Sequence, residues 1–263
     1  MKKFKIMTLS ALLLSAVVLG NSTNTFAAEE TPKTRNTDAV TNFTANEEKT
    51  EPTDPTDPGK PIKPVDPTDP DKPIEPGTDG PLSLDYASAL DFGSNKISTK
   101  DEVYKAKAQK LEDGRFVPNF AQVSDTRGTL KGWTLGVKQN GQFVSTSGKV
   151  LTGAEIKFSN GTLASISEST APGTVKAAFS LTPDGTGVVD KIVEAADGQG
   201  GGTWSYLFGD VAGITEALND DGSKAGYSVT DSITLSVPGT TDKLAESYST
   251  SLTWTLSSLP ANE

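Results

Sequence analysis

Short runs of alternating apolar and polar residues, separated by turns that contain glycine, constrain the fold of this chain more than any other feature. Such runs occupy residues 133–137, 154–158, 233–237 and 252–256, and turns such as Asn160-Gly161 and Asp221-Gly222 separate them. Alternate residues of a β-strand share one face, so each run predicts a strand with one buried face. Many short strands with turn residues between them predict an all-β domain, an antiparallel β-sandwich or barrel, over residues 81–263.

Two segments depart from this alternation and predict one or two short helices in the domain. Residues 99–111 are rich in Lys, Ala, Glu and Gln, with Thr99 placed as an N-cap and Glu102 at the third helical position. Residues 210–218 predict a helical turn or a loop. The dipeptide Asn140-Gly141 lies between Val137 and Phe143 and predicts a β-hairpin.

The first residues have the pattern of a secretory signal peptide. Lys2, Lys3 and Lys5 precede an apolar run, and residues 25–28 offer the small side chains of a cleavage site. The run is shorter than the roughly 20 residues that cross a bilayer. We therefore expect residues 1–28 to direct export without membrane insertion, and the mature protein to be secreted and retained at the cell surface by binding.

A proline-rich repeat joins the N-terminal region to the predicted domain. Residues 29–50 are polar and poor in aromatic residues, which is typical of a disordered segment. Within the linker, residues 51–80, the sequence 54–64 recurs with small changes as 66–76. Proline favours extended backbone, so the repeat predicts a polyproline stalk about 80 Å long. The alternative is a proline-rich ligand for another domain.

Charge and composition exclude several classes of function. The formal net charge is −10, and nucleic acids and anionic membranes need a basic surface. The chain has no His and no Cys, which removes thiol nucleophiles, His bases and the usual transition-metal ligands. No carboxylate pair stands out as glycosidase-like, and Asp184, Asp190 and Asp197 do not match a calcium loop. We predict no enzyme, no cofactor and no metal site.

Two Trp-x-Leu triplets give the chain its most specific sequence pattern. The first contains Trp133 and Leu135, and the second lies within residues 248–260. The distal stretch resembles the YxxxLTWxLxxxP pattern of the WxL domain at six positions: Tyr248, Leu252, Thr253, Trp254, Leu256 and Pro260. The resemblance implies a surface protein of low-GC Gram-positive bacteria that attaches to peptidoglycan without a covalent anchor, at these motif residues.

A second stretch also resembles this family. Residues 117–128 contain Val123, Asp125, Arg127 and Gly128, which follow the V-x-D-x-R-G element that precedes the first triplet in WxL domains. The Asp125 and Arg127 side chains either form an ion pair that fixes a loop or belong to a ligand-reading polar site. Such a site would also contain Gln122 and Asp91.

The positions of the Trp residues leave two interpretations open. Trp133 and Leu135 share one strand face, as do Leu252, Trp254 and Leu256, so the rings either anchor the core or stack on sugars of the wall. Gly132 and Gly136 flank the first triplet and allow another segment to approach closely. Trp204 follows the glycine-rich residues 198–202 and is predicted to be an exposed contact.

The resemblance implies a role in a surface complex. Its partners would be peptidoglycan, a WxL-interacting surface protein and a wall-anchored surface protein, with adhesion to host extracellular-matrix proteins. One alternative is an assembly subunit that a partner holds at the wall while its own triplets are structural. A second alternative is an extracellular polysaccharide-binding module.

Overall fold

The computed structural model describes residues 32–259, so the predicted signal peptide and Pro260 lie outside the described residues. The chain divides into two compact units, Met1–Asn42 and Phe43–Glu263. Residues 32–42 of the first unit contain no helix or strand, and the strands all belong to the second unit. The proposed signal and the end of the distal motif therefore rest on sequence alone.

The regular secondary structure described in the second unit is nearly all β-strand. The first ten are β1 (Thr53–Asp54), β2 (Asp57–Pro61), β3 (Leu82–Ala87), β4 (Glu102–Lys107), β5 (Gln109–Lys110), β6 (Phe116–Val117), β7 (Phe120–Asp125), β8 (Trp133–Gln139), β9 (Val144–Ser145) and β10 (Glu155–Phe158). The others are β11 (Gly161–Ala164), β12 (Thr174–Val175), β13 (Phe179–Ser180), β14 (Val188–Ala195), β15 (Gly202–Phe208), β16 (Ile214–Leu218), β17 (Lys224–Val237), β18 (Tyr248–Ser249) and β19 (Leu252–Ser258). A single 3₁₀ turn, Val211–Gly213, precedes β16.

Three larger antiparallel sheets surround the core. One has the strand order β11-β15-β7-β3, a second has β12-β14-β8-β19, and the third has β13-β10-β17-β16 with β4 also paired to β17. We call the second the motif sheet, because β8 and β19 carry the two triplets. All strand pairs are antiparallel, which confirms the predicted all-β class.

One apolar core connects the three larger sheets. It includes Val123 from β7, Leu135 from β8, Ile192 from β14 and Ile233 from β17, each 1% exposed or less. Leu135 and Ile233 lie in runs whose alternation predicted a buried face, whereas β7 is buried at every position. Because burying a large aliphatic side chain contributes about 1.5–3 kcal/mol, this interior is the main source of stability.

The glycines beside the first triplet allow the central strand of the motif sheet to pack closely. A Cβ on Gly136 would lie 3.2 Å from the backbone oxygen of Val189, and one on Gly132 would meet that of Ala195. Both oxygens belong to β14, which pairs with β8. The expected close approach at these two glycines is therefore confirmed, and the approaching segment is β14.

The helix expected over residues 99–111 is wrong. The segment forms β4 and β5, and β4 pairs with β17 along residues 102–107. Ala106 and Ala108 are buried, whereas Lys105 is exposed and pairs with Asp231. The alternation of buried and exposed residues thus outweighed the helix-forming composition, because pairing with β17 satisfies the backbone hydrogen-bonding groups of this segment. Of the second segment, residues 210–218, only Val211–Gly213 forms a helical turn, where the Asp210 side chain accepts a hydrogen bond from the Gly213 N–H, and Ile214–Leu218 form β16.

The first copy of the proline-rich repeat differs from the extended spacer that its composition predicted. Thr53–Asp54 and Asp57–Pro61 pair as a hairpin, and Ile62 is buried in a small cluster on the domain with Leu111 and Phe120. We call residues 53–62 the proline-rich hairpin. The Asp54 carboxylate is 1% exposed and accepts from Arg115 Nη1 at 2.6 Å. Polar anchors and one buried isoleucine therefore hold this segment against the domain.

Candidate functional site

The two triplets lie side by side, although they are far apart in the sequence. Strands β8 and β19 pair in antiparallel register, with Trp254 opposite Val137 and Leu256 opposite Leu135. Residues directly opposite each other in an antiparallel pair project to the same face. The apolar residues of both triplets therefore form one continuous surface on the motif sheet, directed at the core.

Trp133 is a core residue. It is 1% exposed, and its indole Nε1 donates to the backbone oxygen of Gly200 at 3.0 Å. A Cβ on Gly200 would lie 2.7 Å from that same nitrogen, so the glycine-rich loop fits closely against the ring. A buried indole needs a partner for its N–H, and this loop supplies one. The ring of Trp133 has no free face for a ligand.

Trp254 has a different environment on the neighbouring strand. One part of its ring packs against Phe158 and Phe208, with both ring centroids 6.4 Å away. The side chain is nevertheless only partly buried, and it borders an open groove. Leu252, two residues earlier, borders the same groove. The second triplet therefore combines core packing with access from solvent.

The groove is a cavity of about 430 Å³ between β3 and the first half of β19. Its apolar lining includes Leu90, Phe92, Phe143 and Ile156, and its polar rim includes Asp66 and Glu75 from the second repeat copy, Thr78, and Thr250 and Ser251. A volume of this size is in the range of small-ligand sites. The groove is the candidate functional site of the domain, and its lining comes from five separate segments of the chain.

Tyr248, another residue of the distal motif, stabilises the segment before β19. It lies on β18, which pairs with β9, and its hydroxyl accepts from the Leu244 N–H at 2.8 Å. The side chain is partly buried against the core. Tyr248 thus positions the turn before the motif strand.

Asp125 and Arg127 form a buried ion pair that joins the ends of the two motif strands. Arg127 Nε and Nη2 donate to the two Asp125 carboxylate oxygens at 2.9 and 2.7 Å. The same guanidinium donates to the Gly132 backbone oxygen and to the Ser258 hydroxyl, at 2.9 and 2.8 Å. Hydrogen bonds to Asp125 raise the pKa of Arg127. This pair fixes the loop before β8 to the end of β19, which is a structural role.

The polar site expected around this pair is not assembled. Gln122 is fully buried on β7. Its side chain donates to Asp85 Oδ2 and accepts from the Thr53 N–H of the proline-rich hairpin. Asp91 pairs with Lys107, 2.6 Å from its Nζ. The grouping of Asp91 and Gln122 with Asp125 is therefore wrong, because each has a separate partner from a distant strand.

Trp204 is buried, although the sequence predicted an exposed side chain. It is 7% exposed, and its Nε1 donates to the Gly201 backbone oxygen at 3.0 Å. The preceding glycines bring the loop backbone over the ring instead of leaving the ring open to solvent. Its predicted role as an exposed contact is wrong.

Asp85 is a buried carboxylate that sequence reasoning missed. It accepts from Ser83 and Ser124 at 2.6 Å, in addition to Gln122, and is 2% exposed. Burial raises the pKa of Asp85, and the three hydrogen bonds oppose that shift. The residue borders the groove, and its only sequence signal was a carboxylate inside an apolar alternation.

Across residues 32–259, no group of three or more His, Cys, Asp or Glu is arranged to hold a metal ion. Asp184 instead accepts hydrogen bonds from Thr182 and Thr186 within its own turn. No helix within the described range has the length and apolar character needed to cross a membrane.

Comparison with known proteins gave one match. The family model described as "WxL domain surface cell wall-binding" matches residues 30–260, which include both triplets and the groove. No curated protein and no solved structure matches the chain.

Proposed function

Because the chain belongs to the WxL family of surface cell-wall-binding domains, we propose that it is an exported protein held at the wall by non-covalent contacts of its folded domain. Residues 1–28 direct export in this proposal, and residues 29–50 form a polar N-terminal segment. The family is one of wall-binding domains and not of enzymes. Attachment to the wall is accordingly the activity that we assign.

The groove beside Trp254 supports peptidoglycan as the direct ligand. It places a partly exposed indole and Leu252 next to polar groups such as Thr78 and Ser251. Aromatic faces and hydroxyl groups together suit the apolar faces and polar edges of wall fragments. Because Trp133 is buried, we assign the wall contact to the second of the two triplets. The partly exposed Trp254 at this groove is the observation that favours direct binding.

The charge of the protein favours local contacts over general electrostatic attraction. The formal net charge is −10, and like charge repels the anionic polymers of a Gram-positive wall. Basic residues near β4 are paired with acids, as in Lys105 with Asp231 and Lys107 with Asp91. These two ion pairs offset part of the positive charge along β4. The neutral and peptide parts of the wall are therefore the better ligands.

A second candidate is an assembly subunit that a partner protein retains at the wall. Strand β19 is the last strand of the motif sheet and pairs only with β8 among the described strands. An edge strand of this kind can pair with an extended segment of another protein. WxL-interacting and wall-anchored surface proteins are the partners in this proposal, with host adhesion as the role of the complex.

Binding to purified wall separates these candidates. The mature chain is incubated with peptidoglycan stripped of protein and teichoic acid, with cellulose as the control polysaccharide. Saturable binding to peptidoglycan that Trp254→Ala weakens supports the direct contact. No binding, with recovery only after a partner protein is added, would favour the assembly subunit. Equal binding to cellulose would identify a general polysaccharide module instead.

A further inference from the structure

One side of β19 presents unpaired backbone groups. The Asn140 N–H donates to the Ser251 oxygen at 2.9 Å, and the Leu259 N–H donates to the Gly132 oxygen at 3.3 Å. Hydrogen-bonded pairs alternate along an antiparallel ladder, so Thr253, Thr255 and Ser257 also bond to β8. The N–H and C=O groups of Leu252 and Trp254 point away from β8.

The groove lies along this half of β19, where its lining runs from Thr250 to Trp254. On the edge of β3 across the groove, the backbone N–H and C=O of Leu84 already have hydrogen-bond partners. The Leu84 oxygen accepts from the Thr78 N–H, and the Leu84 N–H donates to the Thr78 hydroxyl, both at 2.9 Å. A ligand in the groove therefore finds free backbone groups on the β19 side.

The rim of the groove is acidic. Asp66 accepts only from the Thr68 backbone and hydroxyl, and no cation contacts it in the described part of the chain. Glu75 is exposed, and its carboxylate forms an ion pair with the exposed Lys72. The floor is apolar, with Phe143 and Ile156 among its residues. The ligand that suits this site is short, offers backbone amides, carries small apolar side chains and bears a positive charge.

We propose that the groove binds the peptide part of peptidoglycan, whose amides pair with Leu252 and Trp254 while an amino group lies near Asp66 and Glu75. This inference rests on the proposed function, since it names the portion of the wall that the same site recognises. Stem peptides are short amide chains with alanine methyl groups and free amines, which match the edge, the floor and the rim. Glycan strands have no comparable series of backbone amides.

Separated wall components test the proposal. Purified peptidoglycan is treated with an N-acetylmuramoyl-L-alanine amidase, which yields free stem peptides and peptide-free glycan strands. We expect the mature chain to bind intact peptidoglycan and the released peptides, measured by pull-down and calorimetry. Binding to intact wall and to the glycan, without binding to the peptides, overturns the inference and leaves the proposed function standing. No binding to intact peptidoglycan overturns both.

Two matched pairs of variants locate the contact. Leu252→Pro removes an N–H that faces the groove, whereas Leu252→Ala keeps it, and both lose most of the leucine side chain. Proline is tolerated on an edge strand where its nitrogen faces outward. We expect Leu252→Pro to bind the peptides about fivefold more weakly than Leu252→Ala, the effect of about one hydrogen bond. Equal affinities would overturn strand pairing.

The acidic rim supplies the second pair. Glu75→Gln is expected to weaken peptide binding and to flatten its salt dependence, because a screened charge contact is lost. Glu168→Gln removes an exposed acid from a loop outside the groove and is expected to change neither. Both sites are exposed, so folding is preserved. Equal effects of the two substitutions would overturn the role of the rim.

Discussion

Trp133 and Trp254 lie on the same face of neighbouring antiparallel strands, Trp254 opposite Val137 and Trp133 opposite Ser258, yet their surroundings differ. Trp133 is enclosed by the glycine-rich loop, whereas Trp254 packs against two phenylalanines on one side and borders the groove on the other. The repeated triplet thus places one indole in the core and leaves the second within reach of a ligand.

Replacing each of these rings should separate stability from binding. Trp133→Ala leaves a large cavity and should lower the free energy of unfolding by ~3–5 kcal/mol. Trp254→Ala should cost less, about 1–3 kcal/mol, because part of its ring already contacts water. Urea unfolding followed by circular dichroism measures both values. Equal losses would mean that Trp254 is as enclosed as Trp133.

The glycine-rich loop offers a test of the contact at Trp133. A Cβ at Gly200 would lie 2.7 Å from the indole nitrogen, while Gly198 has a similar φ and nothing within 4 Å. Both changes to Ala cost about 1–2 kcal/mol for the left-handed backbone. Gly200→Ala should cost about 1–3 kcal/mol more through overpacking. Matching thermal midpoints for the two variants would contradict the close fit.

Replacing Arg127 should strongly destabilise the fold. Its side chain is 15% exposed, and that of Asp125 is 1% exposed, so Arg127→Ala leaves a buried carboxylate without its partner. We expect a loss of about 3–5 kcal/mol in the free energy of unfolding. Lys191→Ala breaks an exposed pair with Glu194 and should change it by only about 0–1 kcal/mol. Comparable losses in denaturant unfolding would contradict a structural role for Arg127.

Removing the proline-rich hairpin should destabilise the domain. A fragment of residues 63–263 exposes Phe120 and Leu111 where Ile62 packed, and frees Arg115 from Asp54. We expect its denaturation midpoint to fall below that of residues 51–263. Arg115→Ala should then lower the midpoint of the longer fragment only. A midpoint unaffected by truncation would show that the hairpin is an independent spacer.

Glu246 should titrate unusually low. The neighbouring Ser145 and Ser147 side chains lower the pKa of Glu246 from 4.5 to about 2, together with the Ser147 N–H and the Thr146 hydroxyl, which donate to its Oε2 at 3.0 and 3.1 Å. Since the folded value is below the unfolded one, the stabilisation is present above pH 4.5 and is lost as the pH falls through about 2. Carbon-detected NMR titration of the carboxyl should give this midpoint. A midpoint near 4.5 would contradict the contact.

Alternation in the sequence predicted the parts of the fold that depend on local pattern. The common face of Trp133, Leu135 and Val137, and the close approach at Gly136, follow from a period of two and a missing Cβ. The prediction of a helix over residues 99–111 was wrong because the segment is rich in helix-forming residues, which made the inward-facing alternation of Tyr104 and Ala106 hard to recognise. Pairing with β17, which is distant in sequence, then decided the local structure.

The groove could not be predicted, because its parts come from separate segments. Phe92, Phe143 and Ile156 are ordinary apolar residues in the sequence, and nothing marks them as neighbours of Trp254. The hairpin expected at Asn140-Gly141 shows the same limit, since β8 pairs with β14 and β19 and not with the strand that follows it. Turn residues indicate where a chain bends but not which strands then meet.

The hydrogen bond between Arg127 and Ser258 joins positions 131 residues apart. Contacts at such a separation form late, because a long loop must close before they contribute free energy. The β8–β19 pair and the groove therefore form only once residues 252–258 have met the rest of the domain. The candidate wall contact is thus a property of the completed fold, and no isolated segment of the chain carries it.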